Sequence, residues 1–423
     1  MEERLKLNIQ SEIGKLEGVI LHTPGAEVEN MTPETAQRAL YSDILNLSIA
    51  QKEYEQLYGV LSKYTKTYRI ISLLTALLED YRQREALIGK ICINENATDY
   101  FDDLMDLPSD KLAHALIEGV PAKINTLTAY LKDEYYALFP LYNFYFTRDA
   151  SVTIGNNALI CRMANKVRMR ESIIMEAIFK NSSAFDCTII NAHDFHPGNN
   201  DIFMEGGDIL IARDDILLIG NGTRTSTCGI DMLISRLCRE NKEGRKHVIV
   251  QQLPHAPESF IHLDMVFTFL DKDACMVFEP LILGDNQYQT VHIIIDNGRV
   301  SKIRSVPDIP YVLKRLGMDL KPITCGGSAD EWNQEREQWH SGANFFALEP
   351  GKVLSYARNI HTLNELSNHG FEIIPAWDVI EGRRDIKDYK RCVVTIDGSE
   401  LPRGGGGARC MTMPVSRKAV KWS

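Results

Sequence analysis

The pattern of apolar and polar positions changes along the chain. Residues 16–25 form an apolar run ended by Pro24 and Gly25, which predicts a buried strand. From 31 to 64, and again from 72 to 140, leucine and isoleucine recur at helical spacing among polar residues. Both segments therefore predict helices. Because β-branched alternation is scarce in the second, it is predicted to be an insertion of several helices.

A different unit recurs after residue 143: an apolar run, a tight turn and a second apolar run, which is the pattern of a β-hairpin. The copies cover residues 151–161, 208–219, 264–278 and 344–356. Helical spacing follows several of them, at 168–180, 226–240 and 360–369. With the N-terminal strand and a C-terminal segment, this predicts about five mixed α/β modules arranged radially around a common centre.

Two stretches do not follow this pattern. The charged residues 381–391 predict a solvated loop, and Cys392–Ile396 predicts a short strand. His193 and His196 resemble a pair of metal ligands. The residues that follow, 197–200, favour a surface loop instead, so we predict no metal site.

Composition narrows the class of protein. The 423 residues carry a net charge of -10, which argues against nucleic acid or an anionic membrane as the partner. The N-terminus lacks the apolar core of a signal peptide, and no apolar run approaches the roughly 20 residues that span a bilayer. Nine scattered cysteines without a C-x-x-C pair predict free thiols in a reducing cytoplasm.

The most unusual stretch is the glycine-rich loop at 402–414, in which four consecutive glycines precede Ala408, Arg409 and Cys410. Glycine allows the backbone to approach a ligand closely. Positive charge beside a thiol lowers its pKa and favours the thiolate, so Cys410 is the candidate nucleophile. The alternative is a flexible tail followed by a small buried cysteine.

Other polar groups fall at the edges of the modules. Asp149, Glu205, His262 and Asp264 together offer one imidazole and three carboxylates. On a strand, His262 and Asp264 would face the same side. The alternatives are an Asp149 pair with Arg148 and a structural core histidine at 262.

So many carboxylates suit a guanidinium substrate, which binds them by paired hydrogen bonds. Asp149 and Asp264 would hold the guanidinium while Cys410 attacks its central carbon. His262 would protonate departing ammonia and then activate water. Glu205 would orient His262 and keep it protonated.

These residues resemble the arginine deiminase family over almost the whole chain. The matching motifs are Ser11–Leu16 with His22–Gly25, Phe146–Asp149, Glu205–Asp208, Arg224–Ser226, His262–Asp264, Arg336–Trp339 and Ala408–Pro414. The resemblance implies an α/β fold, the pentein α/β-propeller of five ββαβ-type modules. It also implies one catalytic domain over 1–423, with the helical insertion at 72–140 inside it.

The resemblance further implies hydrolysis of free L-arginine to L-citrulline and ammonia, without cofactor or metal, by a dimer or tetramer. It implies the roles already described for Cys410, His262, Glu205, Asp149 and Asp264. It adds three residues that hold the amino acid end of the substrate: Asn143, Arg168 and Arg224.

Two features depart from the family's pattern. The glycine-rich loop lacks the arginine that many relatives carry in its middle, and residues 381–400 look like extra sequence. Other functions remain open: an arginine dihydrolase that forms ornithine, an amidinotransferase, or a non-catalytic arginine-binding protein. An agmatine deiminase is disfavoured by Arg168 and Arg224.

Overall fold

Five β-sheets of similar construction organise the chain. The computed structural model describes residues 4–38, 41, 43–131, 135–194, 201–240 and 242–422. Within these ranges each of the five sheets contains an antiparallel pair of strands, and a further strand runs parallel to one member of the pair. We call these sheets modules 1 to 5 in chain order.

The strands of each module follow in their order across the sheet. Module 1 contains Met413–Arg417, Leu16–Leu21 and Lys66–Arg69. Module 2 contains Ser151–Ile154, Asn157–Ile160 and Thr188–Asn191. Module 3 contains Ile209–Arg213, Ile216–Asn221, Arg245–Gln252, Thr290–Asp296 and Arg299–Val306. Module 4 contains Phe267–Asp271, Ala274–Val277 and Lys321–Thr324. Module 5 contains Phe346–Glu349, Lys352–Tyr356, Cys392–Ile396 and Glu372–Pro375.

The four hairpins predicted from the sequence are confirmed in modules 2 to 5. Their strands are buried on both faces, which explains why they appear as continuous apolar runs rather than alternating ones. The helices predicted after three of the hairpins are confirmed as Met169–Asn181, Thr227–Glu240 and Ile360–Asn368.

Helices predominate between residues 26 and 131. They are Ala26–Glu29, Pro33–Arg38, Leu47–Tyr64, Ile70–Leu78, Tyr81–Glu95, Phe101–Met105, Ser109–Glu118 and Leu127–Leu131. Asn46 and Asp80 cap the two longest, Asn46 by accepting from Ile49 N and Asp80 by accepting from Arg82 N and Gln83 N. The four remaining α-helices in the described residues are Glu279–Ile282, Ile309–Arg315, Glu331–Trp339 and Ala376–Ile380.

One prediction about local structure is confirmed and another is wrong. The predicted strand Cys392–Ile396 lies inside the module 5 sheet, parallel to both of its neighbours. His262 and Asp264 are not on a strand. Leu263–Met265 forms a short 3-10 turn, and the module 4 strand begins only at Phe267.

Strands of module 1 contact module 2 on one side and module 5 on the other. The central strand of module 1, Leu16–Leu21, pairs with the C-terminal strand Met413–Arg417, so distant parts of the chain share one sheet. Phe346–Glu349 of module 5 in turn lies against Leu16–Leu21.

Of the two histidines considered as metal ligands, the structure describes only His193, which lies in a short 3-10 turn. Residues 195–200, which include His196, fall outside the described residues. No helix in the described ranges is long and apolar enough to cross a membrane.

Candidate active site

The glycine-rich loop places Cys410 in the interior. Gly405 adopts a left-handed conformation with φ of 86°, which favours glycine. A Cβ at Gly406 would lie 2.4 Å from the ring of Phe146, so a larger residue would displace the loop. Asn344 Oδ1 accepts hydrogen bonds from the backbone N–H groups of Arg409 and Cys410 at 2.9 and 3.3 Å. Loop and cysteine are thus fixed against the start of module 5.

Six of the eight predicted site residues line one small cavity beside this loop. The lining residues are Asn143, Phe146, Asp149, Arg168, Arg224, Ile261, His262, Gly404, Gly405, Gly406 and Cys410. The free volume is about 20 Å³, room for one or two water molecules. The other two predicted residues lie just behind the lining: Glu205 contacts His262, and Asp264 contacts Cys410.

His262 and Glu205 form a buried ion pair. His262 Nε2 lies 2.9 Å from Glu205 Oε2, and both side chains are almost completely buried. Burial opposes the charged imidazole, but Asp149 and the hydrogen bond to Glu205 raise the pKa of His262 to about 9. Burial also opposes the charge of Glu205, but Arg224 and His262 lower the pKa of this carboxyl group to about 2. The imidazole is therefore protonated at neutral pH, as predicted.

The expectation that Arg409 activates the thiol is wrong for the free site. Cys410 Sγ lies 3.7 and 3.9 Å from the carboxylate oxygens of Asp264. Burial, then the charges of Asp264 and Asp149, raise the pKa of Cys410 well above its usual value. Arg409 opposes this only weakly, because its guanidinium donates to Asp264, to Glu12 and to the Ile209 carbonyl.

Asp149 pairs with Arg168 rather than with its neighbour Arg148. Arg168 Nη1 donates to Asp149 Oδ2 at 2.7 Å. Arg224 approaches a different carboxylate: its Nη1 lies 3.7 Å from Glu205 Oε1. The two arginines expected at the amino acid end of a substrate therefore lie in the same cavity as the carboxylate expected at its guanidinium.

Three supporting residues were not predicted as parts of the site. Glu171 accepts hydrogen bonds from Arg168, Asn344 Nδ2 lies 3.2 Å from Cys410 Sγ, and Glu12 accepts from Arg409. Glu12 belongs to a motif quoted for the family resemblance, and Asn344 begins the fourth predicted hairpin. Glu171 had no signal beyond its place one turn after Arg168. Asp208 accepts from Leu263 N at 2.9 Å.

Asp149, Glu205 and His262 also offer ligand atoms within 4.8 Å of one another, a spacing compatible with a metal ion. Their charges favour a different ligand. The guanidinium groups of Arg168 and Arg224 already approach the two carboxylates, and a protonated imidazole cannot coordinate a metal. The arrangement suits an organic cation better.

Comparison with solved structures gives the fold first. The chain has the pentein fold, shared with a dimethylarginine dimethylaminohydrolase solved as an adduct with S-methyl-L-thiocitrulline (TM-score 0.51, 15% identity, 94% of this chain and 99% of that one). It is also similar to SxtG, an amidinotransferase from Microseira wollei (TM-score 0.52, 14% identity, 99% and 100%). The N-terminal domain of ArgZ, a cyanobacterial arginine dihydrolase, has a TM-score of 0.51 at 14% identity, over 95% and 98%.

Sequence comparison then gives the family. The family model for arginine deiminase matches residues 37–417. An arginine deiminase of Bacillus cereus is 32% identical over 433 residues, covering 98% of this chain and 99% of the relative. One from Oenococcus oeni is 30% identical over 440 residues and the full length of both. The chain belongs to the arginine deiminase family.

Proposed function

We propose that this protein hydrolyses L-arginine to L-citrulline and ammonia through a covalent intermediate on Cys410. The observation that carries the proposal is one buried cavity that joins a thiol, a protonated imidazole and two carboxylates. Relatives named arginine deiminase cover the full chain and support the same reaction.

The substrate guanidinium would lie between Asp149 and Asp264, with its central carbon beside Cys410 Sγ. A cation there offsets the negative charges that hold the thiol neutral, so substrate binding itself favours the thiolate. The thiol gives its proton to water as the cation binds, and the thiolate then adds to the carbon of the guanidinium. When the carbon–nitrogen bond breaks, the departing nitrogen takes a proton from His262 and leaves as ammonia.

The remaining amidino-thioether is resolved by water. His262, now neutral, takes a proton from a water molecule, whose oxygen adds to the same carbon. The carbon–sulfur bond then breaks and citrulline is released. Glu205 holds the imidazole throughout by its 2.9 Å hydrogen bond. At the other end of the cavity, Asn143, Arg168 and Arg224 would bind the carboxylate and amino groups of arginine.

Replacement of the nucleophile tests this mechanism. Cys410→Ser should lose essentially all turnover, because a neutral hydroxyl is a far weaker nucleophile than a thiolate. Mass spectrometry of a quenched wild-type reaction should show the amidino adduct on Cys410. Product analysis should show citrulline and ammonia at one to one. Ornithine with two ammonia would indicate a dihydrolase, and amidino transfer to added glycine a transferase.

The wider organisation follows the same proposal. Residues 1–423 would act as one catalytic domain, in which the helices within 72–140 are an insertion. We propose a cytoplasmic enzyme of two or four copies. Sedimentation of the purified protein against its monomer mass of 47.9 kDa tests the number of copies.

A further inference from the structure

Arg168 occupies the carboxylate that the proposed substrate needs. Its Nη1 donates to Asp149 Oδ2 at 2.7 Å, which is where the substrate guanidinium would bind. The cavity has room for one or two water molecules but not for an arginine beside this pair. A guanidinium from the substrate must therefore replace a guanidinium of the protein on Asp149.

A second carboxylate holds the opposite edge of Arg168. Nε lies 3.0 and 3.2 Å from the two oxygens of Glu171, and Nη2 lies 2.8 Å from Oε2. Glu171 is 1% exposed and stands one helical turn beyond Arg168, at the start of helix Met169–Asn181. Such side-on pairs of charged groups are among the strongest hydrogen-bonded contacts in proteins.

The two contacts use different edges of one planar group. Nε and Nη2 face Glu171, whereas Nη1 faces Asp149. Because the group is planar and rigid, Nη1 can leave Asp149 only if the plane turns about the edge that Glu171 holds, and this rotation keeps the contacts of Nε and Nη2. Since Asp149 would exchange one guanidinium for another, its charge stays compensated, which matters for a carboxylate that is 3% exposed.

We propose that Glu171 is a positioning residue. When the substrate guanidinium takes the place of Arg168 on Asp149, Glu171 keeps Arg168 in the cavity, and Nη1 of Arg168 becomes available to the substrate carboxylate. This rests on the proposed function of the same cavity. Without Glu171, Asp149 is the only carboxylate within hydrogen-bond distance of Arg168 among the described residues, since Glu205 lies 3.9 Å from Nη1, and Arg168 competes with the substrate for Asp149.

Glu171→Gln tests the proposal, with Glu176→Gln as the matched control. Glu176 lies on the same helix and pairs with Lys90, away from the cavity. Glu171→Gln should raise KM for L-arginine at least about tenfold while kcat changes less than threefold, given the strength of hydrogen bonds to charged groups. KM for agmatine, which lacks the carboxylate, should rise less. Glu176→Gln should leave KM for both within twofold.

A double variant separates competition from mere structural support. Arg168→Met added to Glu171→Gln removes the competitor, and leaves Asp149 facing the cationic His262, whose Nδ1 lies 3.7 Å from Oδ1. It should lower KM for agmatine below that of Glu171→Gln alone, but should not restore KM for arginine. A Glu171→Gln enzyme with wild-type KM for arginine, or a double variant without this recovery for agmatine, would overturn the proposal.

Failure of the proposed function gives a different result. If the wild type forms no citrulline, the reaction is wrong, whatever Glu171 does. Dissociation constants for arginine and agmatine, measured by calorimetry, then replace KM. They are measured on the wild type, the two single variants and the double variant. The same order of affinities is expected, and equal affinities in wild type and Glu171→Gln would exclude the role of Glu171.

Discussion

His262 and Cys410 are both protonated in the free site at neutral pH, and anionic neighbours favour the protonated form of each. Anionic neighbours stabilise the imidazolium, and burial with the same kind of neighbour destabilises the thiolate. The reactive thiolate is therefore not present before the substrate arrives. A buried thiol in this state is protected from adventitious oxidation and alkylation.

The charge of His262 can be measured directly. An NMR titration of its ring, assigned with His262→Gln, should show an imidazolium at pH 7 that loses its proton near pH 9. Because this folded pKa lies above the unfolded value of about 6.5, the pair with Glu205 stabilises the fold fully below pH 6.5 and loses that effect as pH rises through 9. Glu205→Gln should move the titration to lower pH. A wild-type midpoint near 6.5 would contradict the ion pair.

The two aspartates should act through charge. Asp149→Asn and Asp264→Asn keep the shape of the side chain but present an amide to a guanidinium that can only donate. Each should lower kcat/KM at least about tenfold, since hydrogen bonds to charged groups contribute about 1.5–3 kcal/mol. Asp296→Asn, which removes an exposed pair with Arg245, should stay near wild type. Near-normal activity in both site variants would make the aspartates structural.

At the scale of single residues, the sequence predicts which side chains share the cavity, but not which charged partner each of them contacts. All eight expected residues lie in or directly behind one cavity. The direction of Arg409, by contrast, is set by Glu12, 397 positions away along the chain. Asp149 and Arg168 flank the hairpin of module 2, 19 positions apart, and their pairing is likewise not a local signal. Such choices between neighbouring carboxylates are decided by tertiary packing.

Among the elements, the turn at Glu205–Asp208 brings backbone unusually close to a side chain. A Cβ at Gly207 would lie 2.5 Å from His262 Nδ1, too close for any real contact. Only glycine lets the imidazole reach Glu205 from this side.

Gly207→Ala should therefore lower kcat at least about tenfold, because His262 must shift from its 2.9 Å bond to Glu205. Gly89→Ala is the control. Gly89 lies inside helix Tyr81–Glu95, where an added Cβ meets nothing closer than 3.8 Å. It should keep full activity and stabilise the protein by up to about 1 kcal/mol. Steady-state kinetics and urea unfolding of both variants make the comparison.

Hairpins and long helices were predictable because apolar runs around a tight turn, and helical spacing, are local signals. The third strand of most modules was not predicted, since Lys66–Arg69 and Lys321–Thr324 are short and become strands only by pairing in parallel with distant partners. The turn at 263–265 was also missed. Asp208, 55 residues earlier, fixes it by accepting from Leu263 N.

At the scale of the whole molecule, module 1 pairs the N-terminal strand Leu16–Leu21 with the C-terminal strand Met413–Arg417, and we call this pairing the joint. Met413 and Val415 are fully buried, and Asn8 forms further backbone hydrogen bonds with Val415 and Arg417 across the joint. A chain that stops at Thr412 loses this strand but retains Cys410. It should lose activity and unfold at much lower urea, because module 1 then has an open edge and the apolar side chains of Leu16–Leu21 lose their cover.

A chain that stops at Lys418 is the matched control. It keeps the strand and the Lys418–Lys15 hydrogen bond, and loses only the partly buried contacts of Val420 and Trp422. It should retain activity with a modest loss of stability. Equal behaviour of the two shortened chains, followed by activity and circular dichroism, would show that module 1 does not hold the molecule together.

The same joint sets the order in which the protein becomes competent during synthesis. Modules 2 to 5 can be complete while Leu16–Leu21 still waits for the strand that follows Cys410. A ribosome that stalls anywhere before residue 413 releases a polypeptide with an uncovered apolar strand and an unfinished site. Quality control can therefore recognise copies that stop before residue 413 by the same edge that completion buries.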